Sequence, residues 1–324
     1  HNDLTFANNY KLGLTGRKKK WILPLFFKLA SFFRKNKFDY IITQGWPGIW
    51  VGAAFKVTHK KPAGKCIMML RNNIAYLTDK SQKIYFKISW FFAPIIYKKA
   101  DACAHVSGAA AEEMEKYFGL QKVHTLYNPV IWGEEVNKEY PLPDHEFFQQ
   151  KNNLLMTCGR LQYQKNHDLM LRAFSLALSE DDTLRLIILG EGKLRTHLES
   201  LAAELGIPDY VSMPGFVSEP MAYMAHADLF WFTSLYEGFG NVLVEAMAAG
   251  TNIVSSDCPH GPGEILENGK FGYLVSDWDP QAHADTIQKA LQQPKCTPNQ
   301  LKQRALDFSV ENATDNYIDL LNSL

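Results

Sequence analysis

From residue 153 onward the chain alternates short runs that are apolar at almost every position with longer amphipathic stretches. This alternation restricts the fold more than any other feature. The apolar runs are 154–158, 184–189, 210–213, 229–233, 252–255 and 272–275. Helical patterns over 167–178, 193–205, 241–249 and 280–292 separate them. A strand without a polar face must be covered on both sides, and a helix after each strand lets the next run parallel. The pattern therefore predicts an α/β domain with a doubly wound parallel sheet.

The first half repeats the theme more weakly. Segments 38–43, 65–70, 102–106 and 123–126 read as strands with helices between. Residues 132–150 hold two prolines and clustered acidic residues without a period, which reads as a linker. The expected organisation is a first domain over 1–131, a second over 151–305, and a C-terminal helix over 306–324 that packs back on the first. Two such lobes leave a ligand cleft between them.

Composition removes other classes. With 46% apolar and 21% charged residues, the chain is neither disordered nor fibrous. Five cysteines, none in a C-x-x-C pair, argue against a disulfide framework or structural zinc site and for a reducing compartment. The longest apolar run, 21–33, is broken by Pro24, Lys28 and Ser31, too short to span a bilayer. No signal-peptide pattern opens the chain, which begins at His1 and reads as a fragment. Residues 1–131 hold 21 Lys and Arg against 7 Asp and Glu, a net +14, and residues 132–324 hold 13 against 27, a net −14. The halves therefore face different partners, and the basic one suits phosphates or anionic lipid.

The densest chemistry lies in Thr233-Ser-Leu-Tyr-Glu237-Gly238-Phe239-Gly240-Asn241-Val242, followed by Glu245 and closed by Gly250. A strand, a glycine-rich turn and a helix in that order present free backbone N–H groups, a ready anion site favoured by the helix dipole. Two carboxylates beside such a site cannot bind phosphate, but they can accept hydrogen bonds from sugar and ribose hydroxyls. An isolated pair of this kind would more simply be a cap and a solvated helix residue. Here, Gly159-Arg160 and Lys165-Asn166 follow the first strand of the same domain, a fork and a point charge able to converge on a diphosphate. Gly190-Glu-Gly192 follows the second strand, Gly215-Phe216-Val217 the third, and Cys258-Pro-His260-Gly261-Pro262-Gly263-Glu264 the fifth. The dinucleotide fingerprint G-x-G-x-x-G after the first strand is absent, which disfavours a nicotinamide oxidoreductase.

In register, these motifs resemble the donor-binding domain of retaining glycosyltransferases of the GT-B fold, family 4. Glu237 and Glu245 match its E-x7-E pattern, and Val106-Ser107, the helix 112–118 and Tyr127-Asn128-Pro129 match the end of its first lobe. The resemblance implies two Rossmann-like domains facing a central cleft. It implies that Arg160 and Lys165 grip the donor diphosphate, aided by the backbone from Gly238 through Phe239, Gly240 and Asn241 to Val242. It gives Glu237 the donor-sugar hydroxyls, Glu245 the ribose, Phe216 and Val217 the base, and Gly190 a close approach to the donor. Nothing before Asp39 supplies the family's opening strand and glycine-rich loop, so the first domain is expected to lack its first βα unit. Where relatives place a histidine near the reacting centre, Arg71 and Asn72 stand instead as acceptor-side candidates; His105 reads as packed within a strand.

The implied reaction moves a hexose or N-acetylhexosamine from a UDP-sugar to a lipid-linked or surface-polysaccharide acceptor, with retention and by a front-face path. No Asp-x-Asp pair is read as a metal clamp, so metal independence and no cofactor beyond the UDP-sugar donor are expected. The competing reading is a non-catalytic sugar-nucleotide-binding subunit that needs a partner chain. Nucleic acid is not an expected partner, because the basic residues interleave with aromatic runs rather than a reading motif. Residues 17–35 and 83–99 mix aromatics with Lys and Arg as interfacial helices do. A cytoplasmic location, peripheral to an anionic membrane surface at the inner face of the plasma membrane, is the expectation. Helices that cover a sheet carry the same composition, so the competing assignment for both segments is core packing.

Overall fold

The structure, a computed structural model, describes residues 22–59, 64–71, 84–150 and 153–324. Two parallel sheets organise it. The first has β1 (Tyr40–Gln44), β2 (Lys65–Leu70), β3 (Ala102–His105) and β4 (His124–Thr125) in that spatial order. The second has β5 (Asn153–Cys158), β6 (Leu184–Leu189), β7 (Val211–Gly215), β8 (Leu229–Phe232), β9 (Asn252–Ser256) and β10 (Tyr273–Val275). Its spatial order is β10-β9-β8-β5-β6-β7, with every pairing parallel. The chain thus winds outward from β5 through β6 to β7, then returns to β5's other side with β8, where Leu155 lies opposite Leu229 and Met156 opposite Phe230. A reversal of strand order opens a crevice at the carboxyl ends of the two strands that flank it.

The reason for strands here is visible in burial. All four residues of β8 are buried, as are Cys66 to Leu70 in β2, so neither could face water on one side. Helices His167–Glu180, Arg195–Glu204 and Pro280–Gln292 cover one face of the second sheet. Helices Asn241–Ala249 and Pro298–Ala305 cover the other, and that apolar layer runs on without a break into Ile67, Met69 and Ala104 of the first sheet and Leu126 just after it. One core cluster thus spans both lobes, and each lobe has a further one of its own.

Several expectations shift in detail. The strand expected over 123–126 shrinks to His124–Thr125, at the edge of its sheet with β3 as its neighbour, while the buried flanking residues donate outside the strand pairing, Val123 N–H to Glu115 Oε1 at 2.7 Å and Leu126 N–H to His105 O at 2.8 Å. The linker 132–150 contains a 3-10 turn, Gly133–Asn137, and a short helix, Glu146–Gln149. The helix Ile22–Lys35 buries Leu29, Ala30 and Phe33, with Phe33 edge-on to Phe55, and leaves Phe27 and Lys28 outside. Much of its aromatic face is therefore used in the core. The basic run 17–20 and Asn72 fall on residues outside those described; of the stretch before Asp39 where the first βα unit is expected to be missing, residues 22–38 are described and hold the helix Ile22–Lys35, and residues 1–21 lie outside. No described helix is long and apolar enough to cross a membrane.

The last helix, Val310–Ser323, returns to the first lobe. Val310 N–H donates to Ile131 O at 2.7 Å, Tyr317 Oη lies 3.1 Å from Met69 Sδ, and Tyr40 Oη donates to Leu321 O at 3.4 Å.

Candidate functional site

Because the six strands of the second sheet run parallel, the loops after them leave from one edge. The two loops at the strand-order reversal, after β5 and after β8, are stitched together. Leu235 N–H donates to Gln164 O at 2.8 Å, Gln164 Nε2 to Tyr236 O at 2.8 Å, and Thr233 Oγ1 to Lys165 O at 2.9 Å. This brings Lys165 Nζ to 2.7 Å from Glu237 Oε1, both side chains mostly shielded from solvent. Lys165 also lies 5.0 Å above the Phe232 ring. The ammonium keeps further N–H donors for a ligand, and the pair cancels its own charge while the crevice is open. Arg160, from the same loop, is exposed, and its side chain makes no hydrogen bond or ion pair with any described residue.

Gly240 begins the helix Asn241–Ala249 with φ 103°, a conformation that an L side chain rarely adopts, and Gly250 ends it at φ 82°. The N–H groups of Asn241 and Val242 donate to no described residue, so they stand at the positive end of the helix ready for an anion. The Phe239 side chain is 2% exposed. It packs against Tyr127 and Phe308, with ring centroids 5.6 and 5.4 Å away, so only its backbone and that of Gly238 remain for binding.

Glu245, just over one turn into that helix, makes no hydrogen bond with a described residue. Burial holds its carboxyl above the ordinary value, the charge of Glu135 adds to this, and Lys165 opposes it. An acceptor kept half-buried and unsatisfied is suited to hydroxyl donors. Gly190 packs so closely that a Cβ there would come within 2.0 Å of Gly159 O, which holds the loops after β5 and β6 together. Phe216 follows the edge strand β7 and is 82% exposed, whereas Val217 rests partly against the core.

On the facing lobe, Arg71 directly follows β2 and donates to Gln44 Oε1 at 3.3 Å and to Asn128 Oδ1. His105 is fully buried in β3. Sequence reasoning assigned no role to three residues that join the lobes: Asn128, Tyr127 and Glu264. Asn128 Nδ2 donates to Asn241 Oδ1 at 2.8 Å. Glu264 accepts from Tyr127 Oη at 2.6 Å and from Gly108 N at 2.9 and 3.0 Å, at the start of the helix Gly108–Phe118. Tyr127-Asn128-Pro129 was visible as a motif, but no periodicity marks what lies across a cleft from it.

Asp277-Trp278-Asp279 does have Asp-x-Asp spacing. It lies after β10, where Asp277 Oδ1 accepts from Asp279 N at 3.0 Å just before the helix Pro280–Gln292, so it shapes a helix start. Among the described residues no group of three or more His, Cys, Asp or Glu is placed to hold a metal ion. All five cysteines are free, and burial pushes Cys66, Cys103 and Cys258 up to about 12.

Residues 142–307 match the family described as "Glycosyl transferases group 1", and residues 7–131 match "Glycosyltransferase Family 4". Among characterised relatives, the chain is 31% identical over 214 residues to the N-acetylgalactosamine-N,N'-diacetylbacillosaminyl-diphospho-undecaprenol 4-alpha-N-acetylgalactosaminyltransferase of Campylobacter jejuni. That match covers 64% of this chain and 53% of the relative, so the chain spans about half the relative's length. A second enzyme of that organism, an alpha-1,4-N-acetyl-D-galactosaminyltransferase, is 26% identical over 91% of this chain and 78% of its own length. The solved structure of Anabaena HepE in complex with UDP superposes with a TM-score of 0.78 over 93% of this chain and 82% of that one, at 19% identity.

Proposed function

The chain belongs to the group 1 glycosyl transferases, with a family 4 first domain, and from that premise we propose that it is a retaining glycosyltransferase. It moves a hexose or N-acetylhexosamine from a UDP-sugar to a lipid-linked or surface-polysaccharide acceptor. The observation that carries this reading is the Lys165–Glu237 pair at the strand-order reversal, beside the open N-terminus of the helix Asn241–Ala249. Cation and amides fit a diphosphate, and the carboxylate fits the sugar hydroxyls next to it.

In this reading the nucleotide diphosphate lies over Gly240 to Val242, with Arg160 closing on it from the exposed side and Lys165 from beneath. Glu245 takes the ribose hydroxyls. The acceptor oxygen enters from the lobe of Arg71, on the face that the diphosphate leaves. Its bond to the anomeric carbon forms as the bond to the diphosphate oxygen breaks. The acceptor proton passes to that leaving oxygen, so no protein base is needed and configuration is retained. The protein's work is electrostatic: fixed cations and N–H dipoles meet the negative charge where it grows. The UDP choice is supported by HepE, a neighbour solved with UDP. The lipid-linked acceptor is supported by the two Campylobacter relatives, whose names specify undecaprenol-linked glycans.

Peripheral membrane association belongs to the same proposal. It is supported by the +14 charge of residues 1–131 and by a cavity of about 620 Å³ lined by His59, Lys65, Lys98, Lys99 and the Lys56–Asp101 ion pair. The helix Ile84–Tyr97, which ends at those last two lysines, leaves Phe91, Phe92 and Ile95 exposed. Lysines beside apolar side chains suit an anionic interface.

The direct test is transfer by the purified chain from a panel of UDP- and GDP-sugars to a polyprenyl-diphosphate-linked glycan, with the anomer read by NMR. Transfer from a UDP-sugar with retention is expected. Inversion, or a stronger thermal shift with a GDP-sugar than with any UDP-sugar, overturns the mechanism or the donor. Donor binding without transfer, rescued by a second polypeptide, establishes the binding-subunit reading instead.

A further inference from the structure

Three side chains form a line across the cleft. Arg71 donates to Asn128 Oδ1, and Asn128 Nδ2 donates at 2.8 Å to Asn241 Oδ1, on the first residue of the anion-binding helix. Asn128 is 7% exposed, so the middle of the line is shielded from water, while Arg71 and Asn241 are exposed at its ends. The chemistry of the three groups gives the line a direction. A guanidinium has donors and no acceptor, so it can meet only the oxygen of the Asn128 amide. That leaves the Asn128 NH2 towards Asn241, where it can meet only an oxygen. The Asn241 amide is thereby turned with its oxygen inward. Its own NH2 makes no hydrogen bond to a described residue, at the same helix start as the open backbone N–H groups of Asn241 and Val242.

We propose that Asn128 is a positioning residue for donor binding: held by Arg71, it fixes the Asn241 amide so that NH2, and not oxygen, faces the donor diphosphate. The inference rests on the transferase reading for its ligand, and on the geometry above for its direction. An unconstrained amide at that place would be free to rotate by half a turn and set a carbonyl dipole against the phosphate. The line also makes donor affinity depend on the acceptor-side lobe. An opening of the cleft that separates Asn128 from Asn241 would release the amide and, with it, the nucleotide.

The diagnostic variant is Asn128→Asp. A carboxylate keeps the contact with Arg71 but cannot donate, so Asn241 turns its NH2 inward and presents oxygen to the ligand. UDP binding is measured by titration calorimetry on the full chain, together with its melting temperature. Wild type should bind UDP, Asn241→Ala should bind it several-fold more weakly, and Asn128→Asp should lose tenfold or more with little change in melting temperature. In the Asn241→Ala background, adding Asn128→Asp should change affinity less than twofold, because no amide remains to turn. A purely structural Asn128 would instead move the melting temperature and leave the UDP dissociation constant alone. The proposal is overturned if Asn128→Asp binds UDP within twofold of wild type, or if its loss is undiminished in the Asn241→Ala background. A wild type that binds neither UDP nor any UDP-sugar overturns the donor-site reading itself, a separate result.

Discussion

Lys165 Nζ and Glu237 Oε1 lie 2.7 Å apart although 72 residues separate them in sequence. They meet because β5 and β8 are neighbours in the sheet, so the loops that follow them share one crevice. Under the proposed mechanism, replacing Lys165 by Ala removes the cation that faces the leaving diphosphate. Loss of one preorganised electrostatic contact lowers turnover by about a hundred- to thousand-fold. Glu237→Ala should lower turnover comparably. Both variants should keep the far-UV circular dichroism of wild type, since the pair lies on loops. Turnover in either variant within a few-fold of wild type would reject the assignment.

Glu245 carries a pH signature. Its folded-state carboxyl titrates above the ordinary value because it is buried, so the folded chain holds its proton more tightly than the unfolded chain does. The buried carboxylate then costs stability as pH rises from the ordinary glutamate range through the raised value, and below that range it costs nothing. Glu245→Gln should therefore melt higher than wild type at neutral pH, with the difference vanishing in acid. The same variant should bind the donor about ten- to a hundred-fold more weakly, because hydrogen bonds to a charged acceptor are worth roughly 1.5–3 kcal/mol. Melting curves at several pH values, with UDP titrations, check both.

The Glu264 carboxylate joins the lobes by accepting from Tyr127 Oη and from Gly108 N at a helix start. A negative charge in such a partly buried position stabilises by up to about 2 kcal/mol. Glu264→Gln should lower the unfolding free energy by about 1–2 kcal/mol in urea and raise the radius of gyration in solution scattering, as the lobes open more. Tyr127→Phe, which keeps the ring against Phe239 and Phe308, should cost about 1 kcal/mol and open the lobes less.

Phe239 separates packing from binding. Its ring is buried between Tyr127 and Phe308, so Phe239→Ala should cost about 3–5 kcal/mol of stability. Phe239→Leu, which keeps most of the volume and the backbone N–H, should hold the donor dissociation constant within about threefold of wild type. A large loss of donor affinity in that variant would place the ring in the site after all.

The cavity lined by His59, Lys65, Lys98, Lys99 and the Lys56–Asp101 ion pair gives the membrane proposal a specific surface. Changing Lys65, Lys98 and Lys99 to Ala should weaken co-sedimentation with anionic vesicles by about tenfold at low salt, at roughly 1 kcal/mol per lysine at the surface reduced by screening. Binding to neutral vesicles should not change. Equal binding of wild type to anionic and neutral vesicles would remove the membrane from the proposal.

The sequence alone determined the element pattern of the second lobe and its covered parallel sheet. Wholly apolar runs such as Leu229–Phe232, each followed by an amphipathic helix, leave a covered parallel sheet as the packing open to them. Gly240 and Gly250 bracket their helix because each sits at positive φ, and a glycine in the pattern signals that locally. The spacing from Glu237 to Glu245 and the basic loop at Arg160 and Lys165 were equally local, so they too could be read directly. Tertiary structure decided what those groups touch. Lys165 pairs with Glu237 only because β8 lies beside β5, an order that periodicity does not carry. The aromatic stretch before Lys35 resembles an interfacial helix in sequence, yet Leu29, Ala30 and Phe33 are used against the helix Gly45–Thr58. The line from Arg71 through Asn128 to Asn241, and the carboxylate of Glu264 against Gly108, join positions 57 to 156 residues apart. Local patterns fix which face of an element is apolar, whereas contacts across a cleft depend on how whole lobes dock, and no short-range signal encodes that.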